Sequence, residues 1–73
     1  MASANLKHLL EDTQLRVLRA RRDADRQREA VLALECADHD ATIAKRLLIL
    51  FETALAVHVA DRDRMIIDLA DRF

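Results

Sequence analysis

Residues 41–60 read ATIAKRLLILFETALAVHVA, and this stretch decides the fold. On a helix, its apolar side chains recur at the i, i+3, i+4, i+7 spacing of a buried face. The positions on that face are Ile43, Ala44, Leu47, Leu48, Phe51, Ala54, Leu55, His58 and Val59. Leu50 and Val57 widen the face further. Because one neighbouring helix cannot cover so broad a surface, the stretch predicts a helix at the centre of an assembly.

The composition predicts an all-α protein with one domain, residues 1–73. The chain contains no Gly and no Pro, although the two together make up roughly 12% of an average protein. Without them it loses most tight turns and most of the hairpin turns that a sheet needs. Ala, Leu, Arg and Glu, which favour helices, are abundant instead.

Length and charge limit the classes of function. A domain of 73 residues buries a small core and usually needs a disulfide, a metal or a partner chain. Cys36 is the only cysteine, which is ordinary for a reducing cytosol and excludes an internal disulfide. The net charge is −1, which argues against a protein that mainly holds polyanions.

No part of the sequence resembles a signal peptide or a membrane-spanning helix. The N-terminus lacks the positively charged and apolar regions of a secretory signal. Apolar runs such as residues 47–51 are far shorter than the ~20 residues that span a bilayer. We therefore expect a cytoplasmic protein with no membrane association.

A heptad pattern predicts the first helix over about residues 4–36. Seam residues follow one another in alternating 4- and 3-residue steps, as in a coiled coil. These positions are Leu6, Leu10, Thr13, Val17, Ala20, Ala24, Gln27, Val31 and Leu34, of which only Thr13 and Gln27 are polar. Ser3 or Asn5 is the expected N-cap.

The sequence CADHD, residues 36–40, interrupts the pattern and predicts a turn over about residues 37–40. Asp38 and Asp40 are good N-caps for the following helix, and their charge suits its positive end. Because no Gly is present, Asp38 or His39 is expected to adopt the left-handed conformation that commonly ends a helix. One uninterrupted helix is the competing interpretation.

The second helix is expected over about residues 41–71. Its seam positions are Ala44, Leu48, Phe51, Leu55, His58, Arg62, Met65 and Leu69. When the chain folds back at the turn, the two seams face each other, with the small Ala20 and Ala24 opposite the large Phe51 and Leu55. The expected architecture is an antiparallel two-helix hairpin of the coiled-coil type.

A single hairpin leaves apolar side chains uncovered on both helices. Full burial of one Leu or Ile contributes about 1.5–3 kcal/mol, so about half a dozen left in water forfeit roughly 10 kcal/mol, the stability of a whole domain. Pairing two hairpins into a two-fold four-helix bundle recovers most of this. We expect a homodimer, with a tetramer or a different protein partner as alternatives. The expected hydrophobic interface residues are Leu15, Leu18, Leu47, Leu50, Phe51, Ala54 and Val57.

The second half of the chain resembles a group of small helical proteins common in alphaproteobacteria. The resemblance covers residues 38–69 and rests on His39-Asp40-Ala41-Thr42, Leu47-Leu48, Phe51-Glu52-Thr53-Ala54-Leu55, His58 and Arg62-Asp63-Arg64. A Gly commonly stands in that group where this chain has Asp38. The resemblance implies the helical hairpin and no activity, cofactor or catalytic residue.

Two groups of residues could carry chemistry. His58 and Arg62 lie one turn apart within the apolar face, where a buried charge must be paired. We expect them, with Gln27 and Thr13, to form polar layers that set the register of the helices; a phospho-acceptor or ligand role for His58 is the competing hypothesis. The residues Cys36, Asp38, His39 and Asp40 could bind a metal, but their spacing fits no standard zinc site. We expect no metal, cofactor or catalytic residue.

The tract RVLRARRDADRQRE, residues 16–29, is the candidate anion site. Arg19, Arg22 and Arg26 form an outward stripe, but acidic residues are interleaved with them, as on a solvated helix face. No aromatic residue in the tract can stack on a base. The leading hypothesis is therefore a non-enzymatic protein–protein interaction or oligomerisation module, and the alternative is a nucleic-acid-associated regulator that uses this stripe.

Overall fold

The computed structural model describes residues 2–72, which form two α-helices and no strand. Helix α1 spans Ala2–Cys36 and helix α2 spans Thr42–Asp71. The side chain of Thr13 lies against Met65, and that of Glu35 reaches Lys45 beside the turn. The helices are therefore antiparallel, and the predicted all-α helical hairpin is confirmed.

Helix α1 begins two residues earlier than the pattern predicts. It starts at Ala2, so the prediction of an N-cap at Ser3 or Asn5 is wrong, because both residues lie inside the helix. Ala2 and Ala4 are strong helix formers, and no Gly or Pro interrupts the first turns. Helix propensity outweighs the capping preference of the two polar residues here.

The turn ends α1 in a Schellman motif centred on Asp38. Asp38 has φ 57°, which confirms that Asp38 rather than His39 takes the left-handed conformation. Its N–H donates to the carbonyl oxygen of Glu35 at 3.1 Å, and the N–H of His39 donates to that of Leu34 at 2.9 Å. These are the two hydrogen bonds of the motif, at the position where Gly is usual. The alternative of one uninterrupted helix is wrong.

Asp40 stabilises the start of α2 from one residue further out than an N-cap. The N-cap residue is Ala41, which offers no side-chain hydrogen bond, so the prediction that Asp38 or Asp40 occupies this position is wrong. Asp38 is instead part of the ending of α1. The Asp40 carboxylate accepts hydrogen bonds from the N–H of Thr42 at 2.9 Å and from its hydroxyl at 2.6 Å. One free N–H at the start of α2 is satisfied in this way.

Replacing Asp38 with Gly is expected to stabilise the protein by about 0.5–1 kcal/mol. The left-handed conformation costs a non-Gly residue about 1–2 kcal/mol, and the greater freedom of Gly in the unfolded chain offsets part of the gain. The substitution also removes a negative charge from the negative end of α1. Urea unfolding measures the change. Asp38→Ala removes the same charge but keeps a Cβ atom, so it should be less stable than the glycine variant; equal stability would contradict this account of the turn.

The predicted seams are the faces along which the helices pack. In residues 5–36, every predicted seam position is buried or half-buried and every other residue is exposed. In α2 all the predicted seam positions are half-buried, and Val59 and Asp61 are half-buried beside them. Heptad spacing therefore located the contact between the helices residue by residue.

The hairpin has a seam but very little interior. The buried residues in the described part of the chain are Thr13, Val17, Ala20, Ala24, Val31 and Ala41. None of them belongs to α2, which has no buried residue. The molecule measures 55 × 14 × 13 Å with a radius of gyration of 16.6 Å, whereas a compact domain of this length has about 11 Å. Much of the apolar surface of α2 is consequently in contact with solvent.

Candidate interaction surface

Helix α2 carries a second, unpaired heptad seam, here called the α2 stripe. It consists of Ile43, Leu47, Leu50, Ala54 and Val57, which repeat the 4- and 3-residue steps of the packed seam. All five are exposed, Ile43 by 73% and Leu50 by 65%. Heptad spacing of apolar residues on an exposed face is the pattern by which helices pack on one another. The α2 stripe is therefore the strongest candidate for a binding surface.

The two edges of the hairpin differ in chemistry. Leu47 and Ala54 directly precede seam residues of α2, whereas Lys45 and Glu52 directly follow seam residues, so the two pairs lie on opposite edges. On the second edge Lys45 pairs with Glu35 at 3.1 Å, and Glu52 pairs with Arg28 of α1 at 3.4 Å. Exposed pairs of this kind contribute at most about 1 kcal/mol each. They nevertheless make this edge polar on both helices, whereas on the other edge α2 presents the apolar α2 stripe and α1 presents polar side chains such as Arg16 and Asp23.

A cleft of about 270 Å³ opens between the helices on the edge of the α2 stripe. Its lining residues are Arg16, Arg19, Ala20, Asp23, Phe51, Ala54 and His58. The small side chains of Ala20 and Ala54 leave this space beside the ring of Phe51. The cleft is smaller than the range of about 300–1,000 Å³ that is usual for small-molecule sites. Because Ala54 belongs to both, the cleft and the α2 stripe form one continuous surface.

The exposed area is large for a protein of this size. A compact protein of 8.4 kDa exposes roughly 4,600 Å², whereas this chain exposes 5689 Å². The excess of roughly 1,000 Å² exceeds the ~800 Å² that each partner buries in a standard interface. The excess reflects the elongated shape of the hairpin, and the α2 stripe is part of this exposed surface.

The predicted interface residues lie on two different faces. Leu47, Leu50, Ala54 and Val57 lie together on the α2 stripe, and Phe51 is half-buried and lines the cleft. Leu15 and Leu18 are also exposed, but their heptad positions are on the outer side of α1, away from its seam. One flat contact cannot include both sets. The sequence prediction of the interface omitted Ile43, although the same 4- and 3-residue spacing includes it.

Thr13 and Gln27 connect the two helices through polar contacts. The buried hydroxyl of Thr13 donates to the carbonyl oxygen of Leu9 at 2.8 Å, and Met65 Sδ lies 3.3 Å from the same hydroxyl oxygen. Gln27 Nε2 donates to the carbonyl oxygen of Ala44 at 3.0 Å. Each contact lies in the seam, one near each end of the hairpin. Both residues therefore occupy positions that can set the register of α1 against α2.

His58 and Arg62 do not have the same surroundings. The Arg62 guanidinium donates to Asp63 Oδ1 at 3.1 and 3.2 Å, so its carboxylate partner is on its own helix. The Arg62 side chain is 28% exposed, which leaves it partly solvated. His58 is half-buried and lines the cleft. The Arg62–Asp63 pair by itself does not connect α2 to α1.

Replacing His58 with Leu is expected to stabilise the protein by about 0.5–1 kcal/mol without changing its mass in solution, because an apolar side chain fits the cleft better. Urea unfolding and light scattering test this. His8→Leu is the matched control, since the His8 side chain is 76% exposed and the change there should have little effect. A loss of stability in the His58 variant would favour a specific polar role for the imidazole.

Two acidic residues of the turn serve the ends of the two helices. No group of three or more His, Cys, Asp or Glu side chains within residues 2–72 is arranged to hold a metal ion. Asp38 is the left-handed residue that ends α1, and the Asp40 carboxylate accepts hydrogen bonds from Thr42. Cys36 is exposed as a free thiol.

The Asp40 carboxylate has a lowered pKa. Its hydrogen bond from the Thr42 hydroxyl is the main cause, followed by the bond from the Thr42 N–H and the charge of Lys45. The pKa of this carboxyl is therefore lower in the folded than in the unfolded protein. The charged carboxylate stabilises the folded state at pH values above the unfolded pKa, and this stabilisation is lost as the pH falls through the folded pKa.

We expect Asp40→Asn to destabilise the protein at about pH 6 and to have a smaller effect as the pH falls towards about 2, because the wild-type carboxylate then becomes protonated. Urea midpoints at the two pH values provide the measurement. In a Thr42→Val background the effect of Asp40→Asn should shrink, because the main hydrogen bond is absent. A pH-independent effect of Asp40→Asn would contradict the role of the charged form.

The arginine stripe is exposed, as predicted. Arg19, Arg22 and Arg26 are all exposed, and none of them forms an ion pair in the part of the chain that the structure describes. Arg19 also lines the cleft. The nearby Arg28 pairs with Asp25 at 2.9 Å. Acidic neighbours thus partly neutralise the positive charge of the tract, but its exposed arginines remain accessible to an anion.

Neither α1 nor α2, over the residues described, is long and apolar enough to cross a membrane. In comparisons with protein-family models, curated proteins and solved structures, none matches this chain.

Proposed function

We propose that the chain is a non-enzymatic oligomerisation module that acts in the cytoplasm, and that its α2 stripe binds a second copy to form a four-helix bundle. The exposed heptad seam on one edge of the hairpin is the observation that carries the proposal. The α2 stripes of two copies can cover each other across a two-fold axis, which is the commonest symmetry of soluble oligomers. The polar edge, with its ion pairs to α1, remains on the outside of such a bundle.

Folding and association are coupled in this proposal. A hairpin whose buried residues are mostly Ala and Val has little stability of its own. Burying Ile43, Leu47, Leu50 and Val57 of each copy adds the apolar contacts that the single hairpin lacks. Because the partner binds only the folded chain, the apparent stability rises with protein concentration.

Light scattering and circular dichroism over a concentration series test the proposal. The expected mass is twice the 8.4 kDa of one chain, and the helical signal should fall together with the mass on dilution. A monomer whose helix content does not depend on concentration would overturn the proposal. A mass that rises only when a second protein is added would favour a different partner.

A nucleic-acid-associated regulator is the second candidate. It is favoured by the exposure of Arg19, Arg22 and Arg26, whose guanidinium groups form no ion pair within residues 5–72. The net charge of −1 does not favour it. Gel-shift measurements in rising salt test this candidate, with Arg19→Ala/Arg22→Ala/Arg26→Ala as the control. Failure to bind at low salt would exclude it.

A further inference from the structure

We infer that the second copy binds in one orientation: the two α2 helices pack antiparallel with the two-fold axis at Leu50, and the acidic turn of each copy lies beside the arginines of the other copy's cleft. The acidic turn is defined here by Asp38 and Asp40, and the cleft arginines are Arg16 and Arg19. The inference rests on the proposed self-association and adds its geometry.

The spacing of the α2 stripe is nearly symmetric about Leu50: Ile43 and Val57 lie seven residues from it, and Leu47 and Ala54 lie three and four residues from it. When two copies are antiparallel and centred there, Leu50 meets its own copy and Ile43 meets Val57. The large Leu47 then meets the small Ala54, so that the two surfaces interdigitate. This register covers the whole stripe in both copies.

Other registers place charges against apolar side chains. A shift by one heptad towards the C-terminus puts Arg64 opposite Ile43 and Asp61 opposite Leu47. Burying such charges without partners costs several kcal/mol. The charged residues that follow the α2 stripe therefore favour the register centred on Leu50.

The cleft accepts a side chain of the partner in this register. The partner's Leu47 approaches Ala54, which is both a stripe residue and part of the cleft wall. The cleft is open there because Ala20 and Ala54 are small, and the ring of Phe51 provides an apolar wall. An aliphatic side chain entering a gap between two helices is the knob-into-hole contact of a coiled coil.

Charge complementarity selects the antiparallel orientation. Arg16 and Arg19 lie beside His58 in the cleft, which is the level that the partner's turn reaches when the two-fold axis is at Leu50. Neither arginine forms an ion pair among the residues described, so both can pair with Asp38 and Asp40 of the partner. In a parallel arrangement the two acidic turns would instead lie side by side, and their carboxylates would repel each other.

Disulfide trapping tests the geometry. In a Cys36→Ala background, Leu50→Cys is expected to give a disulfide-linked dimer on mild oxidation, because the two copies of the residue meet at the axis. Leu18→Cys in the same background is the matched control and should stay mostly unlinked, since Leu18 is exposed on the outer side of α1.

Position 43 distinguishes the two orientations. Ile43→Cys should not link to itself, because the two copies lie about 20 Å apart along an antiparallel pair. A mixture of the Ile43→Cys and Val57→Cys chains should link. Self-linking of Ile43→Cys, or a dimer that Leu50→Cys does not trap, would overturn the inference but leave the proposed self-association intact. A monomeric mass of the unmodified chain would defeat the self-association itself.

The contact between the acidic turn and the cleft arginines is tested separately by the salt dependence of dimerisation. Arg16→Glu/Arg19→Glu should weaken dimerisation by about tenfold at low salt, and the loss should shrink in about 1 M salt. Arg21→Glu/Arg22→Glu makes the same change in charge away from the cleft and is expected to weaken dimerisation less. Equal effects of the two double variants would overturn the contact between the acidic turn and the cleft arginines.

Discussion

The Leu50→Glu variant is expected to be monomeric and to lose much of its helix at micromolar concentration. Leu50 is 65% exposed in the single hairpin, so the substitution costs little before association. At the centre of the proposed interface, however, it removes about 1.5–3 kcal/mol of apolar burial from each copy and places two carboxylates together. Two unpaired charges at a buried site cost several kcal/mol more. We therefore expect the dimer to weaken by more than about a thousandfold.

Leu18→Glu is the matched control for this experiment. Leu18 is 52% exposed, close to the exposure of Leu50, and the chemical change is the same, but the side chain lies on the outer side of α1. Light scattering and circular dichroism of the two variants should separate the effect of the α2 stripe from a general effect of added charge. The proposal fails if Leu50→Glu remains dimeric, or if Leu18→Glu dissociates the dimer equally.

The Ala24→Leu variant is expected to lose about 1–3 kcal/mol of stability because it overfills the seam. Ala24 is 0% exposed in the seam between the two helices, and protein interiors are closely packed. A longer side chain must push α1 away from α2 and separate the neighbouring seam contacts. For a chain with so small a core, such a loss is a large fraction of the total stability.

Ala60→Leu provides the comparison for the seam variant. Ala60 is exposed on α2, and Ala and Leu have similar helix propensities, so this variant should unfold close to the wild-type urea midpoint. If Ala24→Leu were as stable as Ala60→Leu, the seam would not be tightly packed at that position.

The hairpin and its seam were predictable because both depend on local periodicity. A helical repeat relates residues three and four apart, so the sequence reveals which residues share a face without knowledge of the rest of the chain. The left-handed residue could be narrowed to Asp38 or His39 from residue type, since a chain without Gly has few residues that tolerate this conformation, and the structure assigns it to Asp38. The details of capping were predicted wrongly: the helix-forming Ala residues extended α1 past Ser3 and Asn5, and Asp40 contacts Thr42 from outside the N-cap position.

The sequence alone thus established two antiparallel helices, the turn between them and the residues along which they pack. The packed structure was needed to show that Glu52 and Lys45 pair with α1 on one edge, while the α2 stripe lies open on the other. It also brought Arg19 of α1 beside His58 of α2 in a common cleft. These features depend on how two helices distant in sequence are rotated and aligned against each other, and the periodicity of either helix alone contains no information about that alignment.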